Sequence, residues 1–201
     1  MEKKRVEVDR LIKKARSSWW EDGIVELFTG MALIIISALG ILSSVSGGSL
    51  SYIFSIAWIL SLIVFILSGQ KIIKFLKRKL VWSRIGYAKP AKERATFKNG
   101  KWTIGAFVCM LGSIILYTHP ISSLLMSCFV SGIFMSIFEY SGLTRFAIIG
   151  LLNLVTGVTL FILGFKVNTG VFINLSVTGI LLLLTGIMTW NQFQRRRTVN
   201  G

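Results

Sequence analysis

The sequence predicts an all-α, polytopic integral membrane bundle: six transmembrane helices preceded by an amphipathic helix lying in the membrane plane. Three observations carry this. The 201 residues are 53% hydrophobic and only 15% charged, with a mean hydropathy of +0.71, where an ordinary soluble domain is about 45–50% apolar and about 25% charged. The apolar residues fall in six long runs, with no Lys, Arg, Asp or Glu near the centre of any run. Of the 23 Lys and Arg, 22 lie before the first run, in alternate connections or after the last. No segment outside the runs is long enough to bury a core of its own. The chain therefore divides into a leader (1–23), a membrane domain (24–190) containing a basic loop (70–101), and a basic tail (191–201).

In the leader, Val8, Leu11, Ile12, Ala15 and Trp19 recur at helical spacing, while Arg10, Lys13, Lys14 and Arg16 lie elsewhere around the helix. Such a helix rests on the inner leaflet, with Trp19 and Trp20 at headgroup level. Glu21 and Asp22 then stand where carboxylates suit the positive end of the first spanning helix, and Gly23 allows the turn from in-plane to spanning. The run that follows is too long for the core of a cleavable signal and is expected to stay as an anchor.

The six runs are 24–45, 50–69, 102–118, 120–138, 146–165 and 171–190, each near the ~20 residues that cross ~30 Å of hydrocarbon. The third is the shortest and passes almost directly into the fourth through Tyr117, Thr118, His119 and Pro120. Continuous rather than alternating apolarity excludes a β-barrel, and lipid requires that backbone polar groups be satisfied within each segment. Only Lys166 lies on the sparsely charged side, so both termini are expected in the cytoplasm of a multi-pass cell-membrane protein.

The loop 70–101 carries eleven cations and one acid and begins as a continuation of the second span, with Ile72, Ile73, Phe75, Leu76, Leu80 and Trp82 toward lipid and most lysines toward water. The formal charge of +15 would suggest nucleic acid in a soluble protein. Beside a membrane it points to anionic inner-leaflet lipids, and nucleic acid is not expected, since few aromatics are free to stack on bases. A second copy of the chain or another membrane protein is the further partner class.

The stretch "WEDGIVEL", together with "RIGYAKP", resembles a family of small polytopic prokaryotic membrane proteins with an acid-Gly-x-x-Glu-Leu entry to the first helix and an Arg-x-Gly-Tyr turn after the second. The matching positions are Asp22, Gly23, Glu26 and Leu27, then Arg84, Gly86 and Tyr87, and the likeness covers about the first half of the chain. That family carries no established activity. The resemblance implies a shared architecture and a polar cluster at the inner border of Asp22, Glu26, Arg84 and Tyr87, with Arg84 as partner for Glu21, Asp22 or Glu26.

Glu26 lies one turn inside the border, where a carboxylate costs about 1–3 kcal/mol unless paired or able to reach the interface. It is expected either to snorkel to the interface or pair with a loop Arg, or else to bind a proton or cation. Asn153, Thr156, Gly157 and Gly164 share a face of the fifth span, and Asn174, Thr178, Thr185 and Thr189 share one of the sixth. Such stripes serve helix packing; lining of a solute path is the alternative. Glycine pairs seven apart at 23/30, 105/112 and 150/157 suggest three related hairpins, although 179/186 has the same spacing.

Cys109 and Cys128 fall inside apolar runs without metal or redox spacing and read as packing residues. His119 reads as a turn residue, and Glu139 with Arg145 as an interface salt bridge around an inner loop. Neither catalytic nor metal-ligating patterns occur, and no pair of Pro- or Gly-broken spans marks a midplane substrate site. The expected function is non-enzymatic and cofactor-free: a membrane interaction, assembly or lipid-associated protein. The alternative is a small transporter or channel with Glu26 near its inner mouth and spans five and six as lining.

Overall fold

A computed structural model of the chain describes residues 20–82, 101–116, 119 and 121–200. The leader helix and the turn bearing Arg84 and Tyr87 lie outside the described residues. Those described form six helices and no strand: α1 (Ile24–Val45), α2 (Gly48–Lys77), α3 (Lys101–Ile115), α4 (Ile121–Ser141), α5 (Thr144–Ile162) and α6 (Val167–Asn200). A wider π turn, Arg78–Trp82, continues α2. Five of the helices are long and apolar enough to cross a membrane. The fifteen residues of α3 reach only about 22 Å at 1.5 Å per residue, short of the ~30 Å hydrocarbon core.

Polarity at the ends determines the boundaries. Gly23, at φ 73°, occupies the left-handed region just before α1, which an L side chain enters only at a cost. Gly142 does the same, also at φ 73°, and lets α4 reverse into α5 within Ser141–Leu143. Within the helices most Ser and Thr hydroxyls return to a carbonyl three or four residues back, as Ser61 does to Ala57 and Thr159 to Val155. This satisfies the hydroxyl without a partner helix.

The most extensive packing is α1 against α6, followed by α4 against α5, α3 against α4, and α2 against α1; α6 also meets α4 and α5. Thus α1, α4, α5 and α6 form the centre, and α2 and α3 flank it. No residue of α2's most apolar stretch is buried inside the bundle, so that face is a lipid face. The apolar core gathers Phe134, Phe146, Ile149 and Leu182, with Leu33, Ile137 and Phe138 packed around them. Trp20 closes the end of the core where the chain enters α1, edge-on to Phe146, at 5.2 Å between ring centroids.

The α1–α6 seam is antiparallel and very close. A Cβ added at Gly30 would lie 2.7 Å from the Gly179 carbonyl oxygen, and one at Gly186 would lie 2.9 Å from the Leu27 nitrogen. One at Gly23 would lie 2.6 Å from the Gly186 oxygen. Further out, Ser176 and Ser37 share a hydroxyl hydrogen bond of 2.7 Å. The glycine spacing therefore marks a pair of facing helices. It does not mark three equivalent hairpins: Gly105 meets open space, Gly112 meets only Leu125, and Gly150 and Gly157 meet serines of α4.

Candidate functional site

Two polar assemblies sit inside the bundle. The first is at the end of the bundle where the chain enters α1. Asp22 Oδ1 accepts the Ile24 backbone N–H at 3.0 Å, capping α1. Its carboxylate also takes Lys77 Nζ in two bonds of 2.7 and 3.0 Å. Both side chains are buried, Lys77 to 1% exposure, so α2 is fastened to the entry of α1 by a desolvated ion pair. Lys77 is the last residue of α2 before the π turn that continues it. Asp22 faces the positive end of α1, which suits a carboxylate.

Glu26 is equally buried, at 1% exposure, and Arg145 Nη2 approaches its Oε1 at 2.5 Å. The contact is ionic rather than a well-angled hydrogen bond, and neither carboxylate oxygen takes one. Arg145 stands in the first turn of α5, the wrong helix end for a cation. It is held there by other groups: Nη1 donates to Thr189 Oγ1 at 2.9 Å, Nη2 also donates to the Trp20 carbonyl, and the guanidinium lies 5.3 Å from the Phe146 ring centroid. One arginine thereby joins α1, α5, α6 and the chain entering α1.

The second assembly lies deeper, where α4, α5 and α6 meet. Asn153 is fully buried. Its Nδ2 donates to the Ser127 carbonyl and to Ser131 Oγ, both at 2.9 Å. Its Oδ1 accepts from Thr178 Oγ1 at 2.7 Å. Asn174 Nδ2 donates to Ser127 Oγ at 2.8 Å, and Ser131 Oγ donates to the Gly150 carbonyl at 2.8 Å. Asn174 Oδ1 alone is left buried without a donor. Every other polar group in this layer is spent on another helix or on its own.

The structure brings Asp22 and Glu26 to one border and Asn153, Asn174 and Thr178 to one network. Thr156 and Thr185 stay out of that network and bond carbonyls of their own helices. Arg84 and Tyr87 lie outside the described residues; the partners Asp22 and Glu26 do have are Lys77 and Arg145. The Glu139–Arg145 expectation is corrected, because Arg145 spans the bundle to Glu26. Most lysines of 70–101 are expected toward water, and Lys77 is the exception among the described ones, buried against Asp22. Ser127 and Ser131 were passed over, although Ser123, Ser127 and Ser131 repeat every fourth residue and so mark one helix face.

Among the described residues no three His, Cys, Asp or Glu side chains gather in a way that could hold a metal ion. Comparison with known proteins gives no match: no family model, curated protein or solved structure is similar enough to lend this chain a family.

Proposed function

We propose that this chain is a non-enzymatic, multi-pass membrane protein, with both termini in the cytoplasm, whose basic inner end gathers anionic lipid. One observation carries the reading: Lys71, Lys74 and Arg78 are exposed along one stripe of α2 as it leaves its apolar stretch, with Lys79 beside them. Arg195 and Arg196 are exposed near the end of α6. Gly23 packs against Gly186, Thr189 and Trp190, so the start of α1 and the late part of α6 share one end of the bundle. That geometry supports termini on a common side, with α3 taken as the sixth crossing. The deep Asn/Thr faces bond to each other and to serines, which supports packing over a solute path.

The test is lipid retention by the full chain purified from bilayers containing both neutral phosphatidylcholine and anionic phosphatidylglycerol. Enrichment of the anionic lipid is expected. It should weaken by about 1 kcal/mol for each of Lys71, Lys74 and Arg78 replaced by Gln. Equal retention of both lipids by the unaltered chain rules the reading out.

A small transporter or channel is the second reading, favoured by the Glu26 oxygens, which are buried and take no neutral hydrogen bond. Proton or cation flux in proteoliposomes, abolished by Glu26→Gln, would support it. Flux unaltered by that substitution removes Glu26 from any such mechanism.

A further inference from the structure

The interface between α3 and α4 has a register that can be read from contacts on either side of its middle. Thr103 and Ser136 hydroxyls lie 3.2 Å apart. A Cβ at Gly132 would lie 2.8 Å from Ala106 Cβ and 3.3 Å from Ala106 Cα. Beyond the midpoint, a Cβ at Gly112 would meet Leu125 at 3.3 Å, and Ser122 Oγ donates to the Ser113 carbonyl at 3.0 Å. Each step up α3 is matched by a step down α4, so Cys109 falls opposite Cys128. These are the only two cysteines in the chain, they come from different helices, and both are partly exposed at the bundle surface.

A disulfide needs Cα atoms within about 4.4–6.8 Å, closer than most helix pairs come. The contact of Ala106 with Gly132, one turn away, shows the two backbones coming that close beside the pair. Beside the pair, the same two helices form an apolar groove of about 490 Å³, lined by Ala106, Phe107, Phe129 and Ile133 and ending at Tyr140. Neither cysteine lines the groove; Phe107 and Phe129 bring its near end within a turn of the pair, and the partial exposure of both thiols opens them to small apolar molecules in the bilayer.

We propose that Cys109 and Cys128 are a redox-active dithiol inside the membrane, oxidised to an intramolecular disulfide by a lipophilic quinone. One sulfur adds to a quinone carbonyl carbon, its proton passing to that oxygen, to give a thiohemiketal. The second sulfur then attacks the first. The S–S bond forms as the S–C bond breaks, the electron pair enters the ring, and the second thiol proton goes to the other ring oxygen. Two thiols and one quinone become one disulfide and one hydroquinone. The product ties the short α3 to α4. This inference stands apart from the lipid-binding reading and uses none of its residues.

The experiment incubates the full-length protein in lipid nanodiscs with a decyl-substituted benzoquinone, then unfolds it and counts maleimide-reactive thiols by intact mass. Thiolates are disfavoured in apolar surroundings, so the reaction is followed over minutes to hours. The unaltered chain should go from two reactive thiols to none, lose two hydrogen atoms in mass, release one hydroquinone per chain and recover both thiols with dithiothreitol. Cys109→Ser and Cys128→Ala should each keep their single thiol and release no hydroquinone. Two thiols retained in the unaltered chain, a stable quinone adduct, a disulfide between two chains, or loss of the remaining thiol in either variant at the unaltered rate would overturn the proposal.

Discussion

At the scale of single residues, the start of α1 shows how charge is held where water is scarce. Glu26 and Arg145 would each be costly alone, and together they are held by Thr189 and the Trp20 carbonyl. Breaking a buried pair from one side leaves an uncompensated charge and costs about 3–5 kcal/mol. Glu26→Gln should therefore destabilise the bundle by about that amount, measured by reversible unfolding in mixed micelles. Adding Arg145→Met should return a large part of the loss. If the two single losses simply add, the residues are not acting as a pair. The sequence showed that Glu26 needed compensation, because a carboxylate within an apolar run stands out. It did not show the source, since Arg145 is more than a hundred positions away and bracketed by a nearer acid, Glu139. Lys77 was harder still: one lysine in a run of lysines carries no mark of being the one turned inward.

At the scale of elements, close approach rather than hydrophobicity specifies the pairing. Lipid tails are as apolar as leucine, so helices in a bilayer select partners by shape and hydrogen bonding. Gly30 and Gly179 present backbone to backbone, and a Cβ on either meets the other's carbonyl oxygen within 3 Å. Gly30→Val should separate α1 from α6 and cost at least about 2 kcal/mol, in the range of overpacked cores. Gly105→Ala, at the same spacing but facing open space, should change stability by no more than about 1 kcal/mol, toward the stable side, because alanine is the better helix former. Equal losses at the two positions would mean that the α1–α6 contact does not support the fold. The spacing of seven revealed which face of each helix is smooth. It could not reveal which helix lies against it, so a repeat of three hairpins was as good a reading as one seam.

The deep network obeys the same logic with polar atoms. Asn153 makes three cross-helix hydrogen bonds, each worth about 0.6 kcal/mol on average inside a membrane. Asn153→Leu should cost about 2 kcal/mol, read from the same unfolding assay. Thr156→Val, which removes only a bond to its own helix, should cost little. The asparagines were visible in sequence because amides are rare in apolar runs. Their serine partners were not, because serine is common there and usually bonds its own helix.

At the scale of the whole molecule, the two flanking helices differ in length, and the surplus length of α2 carries the cations of the proposed lipid-binding surface. The apolar span that begins at Gly48 runs 34 residues, to Val81, while about 20 residues suffice to cross the hydrocarbon. Counted from Gly48, about 20 residues end near Ser68, just before the first exposed cation at Lys71. On the proposed placement the rest of the helix, with Lys74 and Arg78, lies at headgroup depth, while Lys77 turns into the bundle to Asp22. This placement holds only if the Ser46–Gly47 turn is on the opposite side of the membrane, together with Lys166 at the start of α6. In a chain with Cys109 and Cys128 replaced by Ser, a cysteine introduced at Ser46 or Lys166 should react with a membrane-impermeant maleimide added outside intact cells. One at Lys71 or Arg195 should react only after permeabilisation. The reverse pattern would place the basic surface outside and sever it from the anionic leaflet. Labelling of all four positions from outside would mean that α1 and α2 do not cross the bilayer as a hairpin.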